Sequence, residues 1–219
     1  MIRLDVPFTR LRLATALAVG VLLTGIALAA EPSSAMPRTV SLSGIPYRPD
    51  DATAGPPEIV SAIRARRAGG KLLNLDRMLL HSPAFAQGWN AMFGAIRGKL
   101  ALPPRLRELA IMSIGVVNRA EYEWRQHEPE FLAAGGTKAQ LDALRNPVTA
   151  LADSAHFDEA ERAALALTHE MTTQVAVSDA TMRRVRAALA DAQVVELVGT
   201  IAGYNMVSRF VVATGVEME

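Results

Sequence analysis

Glu108, Glu123 and His127 have the residue types and spacing needed to move a proton. They stand within Pro103 to Gly136, PPRLRELAIMSIGVVNRAEYEWRQHEPEFLAAGG. Glu123 and His127 are four apart, which puts them on one face of a helix. A carboxylate beside an imidazole can orient it and exchange a proton with it near neutral pH. The same spacing also suits a surface ion pair worth only about 0.2–0.5 kcal/mol. Glu108 falls in the first turns of the preceding apolar helix, where the helix dipole favours an acid and where Arg105 or Arg107 could pair with it. Together the three residues could also form a His-plus-carboxylate metal set. No second histidine sits at ligand spacing, so neither a metal nor another cofactor is expected. Tyr122 and Trp124 interleave with the pair. They can line an apolar pocket for an organic acid, or serve as core or as the rim of an interface.

The other polar candidates read as structural. His81 precedes a helix start and supports a cap. His156 and His169 stand among solvated residues. Trp89 falls on the apolar face of its helix. Asn205 and Arg209 lie four apart in an apolar helix and need partners; a subunit interface is favoured over a substrate carboxylate. Ser154, Ser178 and Ser208 lack the local pattern of an activated nucleophile.

Helices must position these groups. Pro57 opens a first helix that Gly69-Gly70 ends. A short apolar segment, LLNLDRMLLHS, follows. Ser82 and Pro83 begin a third helix. Pro103-Pro104 opens the helix of Glu108, which runs to about Asn118. A turn leads to the helix of Glu123 and His127, with Pro129 a candidate kink at Glu128. Thr137 with Gln140, and Asp158 with Glu161, form capping boxes. Ser178 and Asp191 are candidate caps for the last two helices. No stretch alternates like a strand, so the class is all-α. The helices from Pro104 and from Gln193 are apolar on most faces, which predicts central packing or an oligomer interface.

The chain has 219 residues, with 23 Lys plus Arg and 22 Asp plus Glu. Residues 1–30 read as a signal peptide: Arg3, Arg10 and Arg12, then an apolar run from Leu13 to Ala29, then small residues for cleavage after Ala29 or Ala30. An uncleaved N-terminal anchor is the alternative. Cleavage removes three arginines and one aspartate, leaving 20 basic and 21 acidic side chains. That balance predicts no nucleic-acid partner and no membrane contact beyond the N-terminal segment. Residues 31–56 read as an extended arm or a disordered linker, and 57–219 as one helical domain. The chain contains no cysteine, which excludes thiol catalysis and dithiol redox chemistry.

RLRELAIMSIGVVNRAEYEWRQHEPEFLAAGGTKAQLDAL resembles the core of the carboxymuconolactone decarboxylase family, which includes alkyl hydroperoxidase D. HSPAFAQGWNAMFGAIRGKLALPPRLRE and VVELVGTIAGYNMVSRFVVATGV support the resemblance from either side, so that it spans roughly Pro57 to Val216. It implies an all-helical fold assembled as trimers or hexamers. In the hydroperoxidase branch a glutamate, a C-x-x-C pair and a histidine act together. Glu108 and His127 match the glutamate and the histidine, while Ala120 and Glu123 stand where the cysteines would be. Dithiol peroxide reduction therefore cannot operate. The decarboxylase branch implies proton transfer with loss of carbon dioxide from a carboxylated lactone. His127 could transfer the proton, with Glu123 orienting it and Glu108 as second acid/base. Arg105 is then a candidate carboxylate anchor, because a guanidinium binds a carboxylate bidentately. The expectation is an exported homo-oligomeric enzyme acting on a small organic acid or lactone, most simply a lyase. The rival is a non-catalytic helical oligomer that binds a ligand or partner.

Overall fold

The computed structural model describes residues 40–219. The expected signal peptide and the start of the expected arm lie outside the described residues. Among the described residues ten α-helices follow one another: α1 (Pro57–Arg66), α2 (Asn74–Leu79), α3 (Pro83–Gly98), α4 (Pro104–Val117), α5 (Glu121–Ala133), α6 (Lys138–Leu144), α7 (Pro147–Ala150), α8 (Glu159–Thr173), α9 (Asp179–Ala188) and α10 (Asp191–Thr214). Among the described residues the only β-type pairing is an isolated bridge between Val40 and Pro46. The all-α class is the one the sequence predicts.

Local chemistry sets most boundaries. Pro57, Pro83, Pro104 and Pro147 each sit in a first helical turn, where the missing N–H costs nothing. Thr137 and Asp158 accept the backbone N–H of Gln140 and Glu161, closing both expected capping boxes. Ser178 accepts from Thr181 in the same way. Two expectations shift. Ser82 occupies the cap position of α3 without a side-chain bond. Asp191 is the first helical residue of α10 rather than its cap; the Ala190 N–H is met instead by Gln193 Oε1. Helix α5 continues through Pro129 to Ala133.

Helix α4 is the centre of the packing. It touches α5, α8 and α10, and Leu109, Ala110 and Met112 are completely buried. A helix apolar on most faces needs neighbours on all of them, and α4 has them. Helix α10 differs. Leu197, Ile201 and Tyr204 face the core, while Val195 and Val212 stay 71% and 56% exposed. An aromatic group joins α3 to α10: Trp89 stacks near Phe93 and Phe210, and Phe93 meets Tyr204 edge-on.

The described part of the Pro- and Ser-rich segment lies against the C-terminal end of the chain. Tyr47 is buried and its hydroxyl accepts the Glu217 N–H at 3.0 Å. Gly215 ends α10 with φ 63°, and a Cβ there would come within 2.8 Å of the Ser43 nitrogen. Glycine is needed for the left-handed conformation and for the close approach alike.

Candidate active site

The site is built where α5 folds back over α4. Between them Arg119 takes φ 54°, and the Ala120 N–H reaches the Gly115 carbonyl at 2.8 Å. Gly115 lets the helices approach: a Cβ on it would meet the Trp124 nitrogen at 3.4 Å and Glu123 Cβ at 3.6 Å. This contact lays one face of α5 against Glu108. Glu108, Glu123 and His127 are 0%, 3% and 4% exposed.

The three side chains form a row with the imidazole in the middle. His127 Nδ1 lies 2.7 Å from Glu108 Oε2, and Nε2 lies 3.8 Å from Glu123 Oε2. Arg107 Nε donates to the other Glu108 oxygen at 3.0 Å. The ring of Tyr204 stands nearly perpendicular to the imidazole, 5.1 Å away. Among the described residues Glu123 Oε2 is buried without a hydrogen-bond partner.

The two carboxyls differ electrically. Burial pushes Glu108 up, but the hydrogen bond and charge of His127, with Arg107, outweigh it and hold the group below the usual carboxylate range. Burial dominates at Glu123; His127, Arg97 and Arg67 offset it only in part, and the carboxyl is pushed up to about 6. Burial also raises the Tyr204 phenol far above its ordinary value. An ionised Glu108 fixes a proton on Nδ1. A neutral imidazole held this way presents Nε2 as an acceptor toward Glu123. The carboxylates thus flank the ring instead of converging. Among the described residues no group of three acids and imidazoles is arranged to hold a metal ion.

One cavity reaches this row, and a second adjoins it. The inner one is about 40 Å³ and is lined by Glu123, His127, Tyr122 and Tyr204, with apolar Leu75 and Phe93. It has room for a water or two. The outer one, about 430 Å³, shares Arg66, Arg67, Arg97 and Gln126 with it. Tyr122 lines the inner cavity, and its hydroxyl also donates to Glu219 Oε1 at 3.3 Å.

Two expected ligand contacts are corrected. Arg105 lines neither cavity; its Nε donates at 2.7 Å to Glu161, a buried carboxylate at the start of α8 that needs a cation. Trp124 is core. Its Nε1 donates to Glu128 at 3.0 Å, and the Arg145 guanidinium lies 3.6 Å above its ring. The cations that do line the site are Arg66, Arg67 and Arg97, with Tyr204 as a further wall. Sequence reasoning passes over these arginines because basic residues at helix C-termini are favoured by the dipole anyway.

His81, His156 and Asn205 have partners within the chain. His81 Nε2 contacts the Pro46 carbonyl, and His156 Nδ1 contacts Asp153. Asn205 is satisfied within the chain: its amide donates to Thr172 and its oxygen accepts from Asn118 and Arg209.

Residues 83–170 match the carboxymuconolactone decarboxylase family. Comparison with curated proteins gives no match. Among solved structures, debrominase Bmp8, as a cysteine-to-alanine variant in complex with 2,3,4-tribromopyrrole, is similar with TM-score 0.69 and 19% identity, covering 82% of this chain and 94% of that one. An uncharacterised peroxidase-related protein with an alkylhydroperoxidase AhpD core, from Ralstonia eutropha, has TM-score 0.67 and 18% identity, covering 78% and 90%. A putative antioxidant defence protein AhpD from Agrobacterium tumefaciens has TM-score 0.57 and 19% identity, covering 64% and 93%. At these identities the likeness is one of fold.

Proposed function

We propose that this chain, a member of the carboxymuconolactone decarboxylase family, performs thiol-free acid/base chemistry on a small organic acid, with decarboxylation or lactone conversion as the reaction class. The observation that carries this reading is the buried row Glu108–His127–Glu123 beside a cavity. Loss of carbon dioxide leaves an electron pair on carbon, and that carbon must take up a proton. Glu123 retains a proton to higher pH than an ordinary carboxyl. His127 Nε2 lies 3.8 Å from Glu123 Oε2, both residues line the inner cavity, and Glu108 is the positioning residue that fixes the ring. Peroxide reduction through a dithiol is disfavoured, because the chain has no cysteine.

The test is His127→Gln in purified protein against a panel of carboxylated lactones, following release of carbon dioxide. The expected loss is about 10²–10⁴-fold, the usual contribution of a general acid/base. Equal rates for wild type and variant remove His127 from the mechanism. A second reading, a helical oligomer that binds a ligand without turning it over, is favoured by the inner cavity's 40 Å³, too small for an organic acid unless side chains move. Wild-type protein that binds the panel and converts none of it supports this reading. Export and assembly as a homo-oligomer complete the proposal, the first supported by the N-terminal sequence and the second by the exposed apolar face of α10.

A further inference from the structure

The acid/base row leaves the cationic wall of the outer cavity unused. Arg66 ends α1, Arg67 follows it, and Arg97 lies in the last turn of α3. Two of the three have carboxylate partners. Arg67 grips Asp76 with Nε at 2.8 Å and Nη2 at 2.6 Å. Arg97 meets Glu130, also on the cavity wall, at 3.0 Å. Arg66 is different. Its Nε donates at 2.7 Å to the neutral Asn90 Oδ1, and no carboxylate pairs with it among the described residues. Burial and the neighbouring Arg67 draw its guanidinium down to about 10. A half-buried cation in this position gains from any anion that reaches it. The cavity leaves space for one: a Cβ built on Gly94 meets only Arg66 Cδ, at 3.5 Å.

We infer that Arg66 anchors the anionic end of a carboxylate ligand, which lies in the outer cavity and extends its other end toward His127 and Glu123. The inner end rests on the acid/base reading above. The anchor stands separately, on the guanidinium without a carboxylate partner and on the cavity around it. Phosphate shares the relevant chemistry, so the experiment separates the two anions.

The measurement is calorimetric titration of purified protein with adipate, with its neutral diamide, and with inorganic phosphate. Wild type, Arg66→Gln, Gly94→Asp and His127→Gln are compared. Gly94→Asp sets a carboxylate beside Arg66 without removing it, and replaces a helical glycine, so it decides the matter even if Arg66→Gln does not fold. Adipate is expected to bind wild type. It is expected to bind Arg66→Gln and Gly94→Asp about tenfold to hundredfold more weakly, the range for one charge-assisted hydrogen bond. The diamide binds none of them. Adipate binding that is absent from wild type, or undiminished in both anchor variants, overturns the anchor while leaving any His127 effect on turnover standing. Phosphate binding more tightly than adipate overturns the carboxylate assignment. Full turnover by His127→Gln, with adipate affinity lost in Gly94→Asp, sinks the acid/base reading and keeps the anchor.

Discussion

Two glutamates that flank one imidazole behave oppositely because their partners differ. Glu108 has His127 on one oxygen and Arg107 on the other, so its charged form is the stable one. Its folded value lies below its unfolded value, and the stability it adds is present above the unfolded value and lost as pH falls. Glu123 has no bonded partner for Oε2, and burial sets its value at about 6. The folded chain therefore holds that proton more tightly than the unfolded chain, and stability falls as pH rises from about 4.5 to about 6. Glu123→Gln keeps the shape and removes the titration. Relative to this variant, wild type is expected to lose about 2 kcal/mol between pH 4.5 and pH 7. Urea midpoints across that range check it; parallel curves for the two proteins would contradict the assignment of Glu123 as a buried, proton-holding carboxyl.

The helix pair α4–α5 is the element that turns separate residues into a site. Its spacing depends on Gly115, which faces the Trp124 backbone and Glu123 Cβ. A side chain larger than methyl must push α5 away. Gly115→Val is expected to cost about 1–3 kcal/mol through overpacking. Because small displacements of catalytic groups can cost about 10²-fold in rate, turnover should fall even at temperatures where the variant remains folded. Denaturation midpoints and kcat measured on the same preparation test both effects. A variant as stable and as active as wild type means that the close crossing does not govern the site.

For the whole molecule, α4 and α10 are alike in composition and unlike in setting. Helix α4 is enclosed, whereas α10 leaves Val195 and Val212 outside. Covering that face with a second copy is the outcome proposed for the assembled protein. Val195→Asp combined with Val212→Asp is expected to lower the mass seen by light scattering to that of a single chain, with helical content unchanged. An unaltered mass places the contact elsewhere. Among the described residues no helix is long and apolar enough to cross a membrane.

The sequence alone determined the helical class and most helix starts, because prolines and capping boxes act within a few residues of themselves. It also brought Glu123 and His127 onto one face, since four-residue spacing is a local property of a helix. Glu108 was legible as a charge in an apolar helix, but only the α4–α5 crossing put it 2.7 Å from Nδ1. The same crossing separated the roles of the two carboxyls, which depend on burial and partners from other elements. Arg105 and Trp124 read as candidate ligand contacts in the sequence for the same reason: their partners, Glu161 and Arg145, are distant or unmarked there. Arg66 looked like an ordinary basic helix end. Tertiary structure alone set it at a cavity with a neutral amide for a partner, because which cation lacks a carboxylate depends on how α1 and α3 pack.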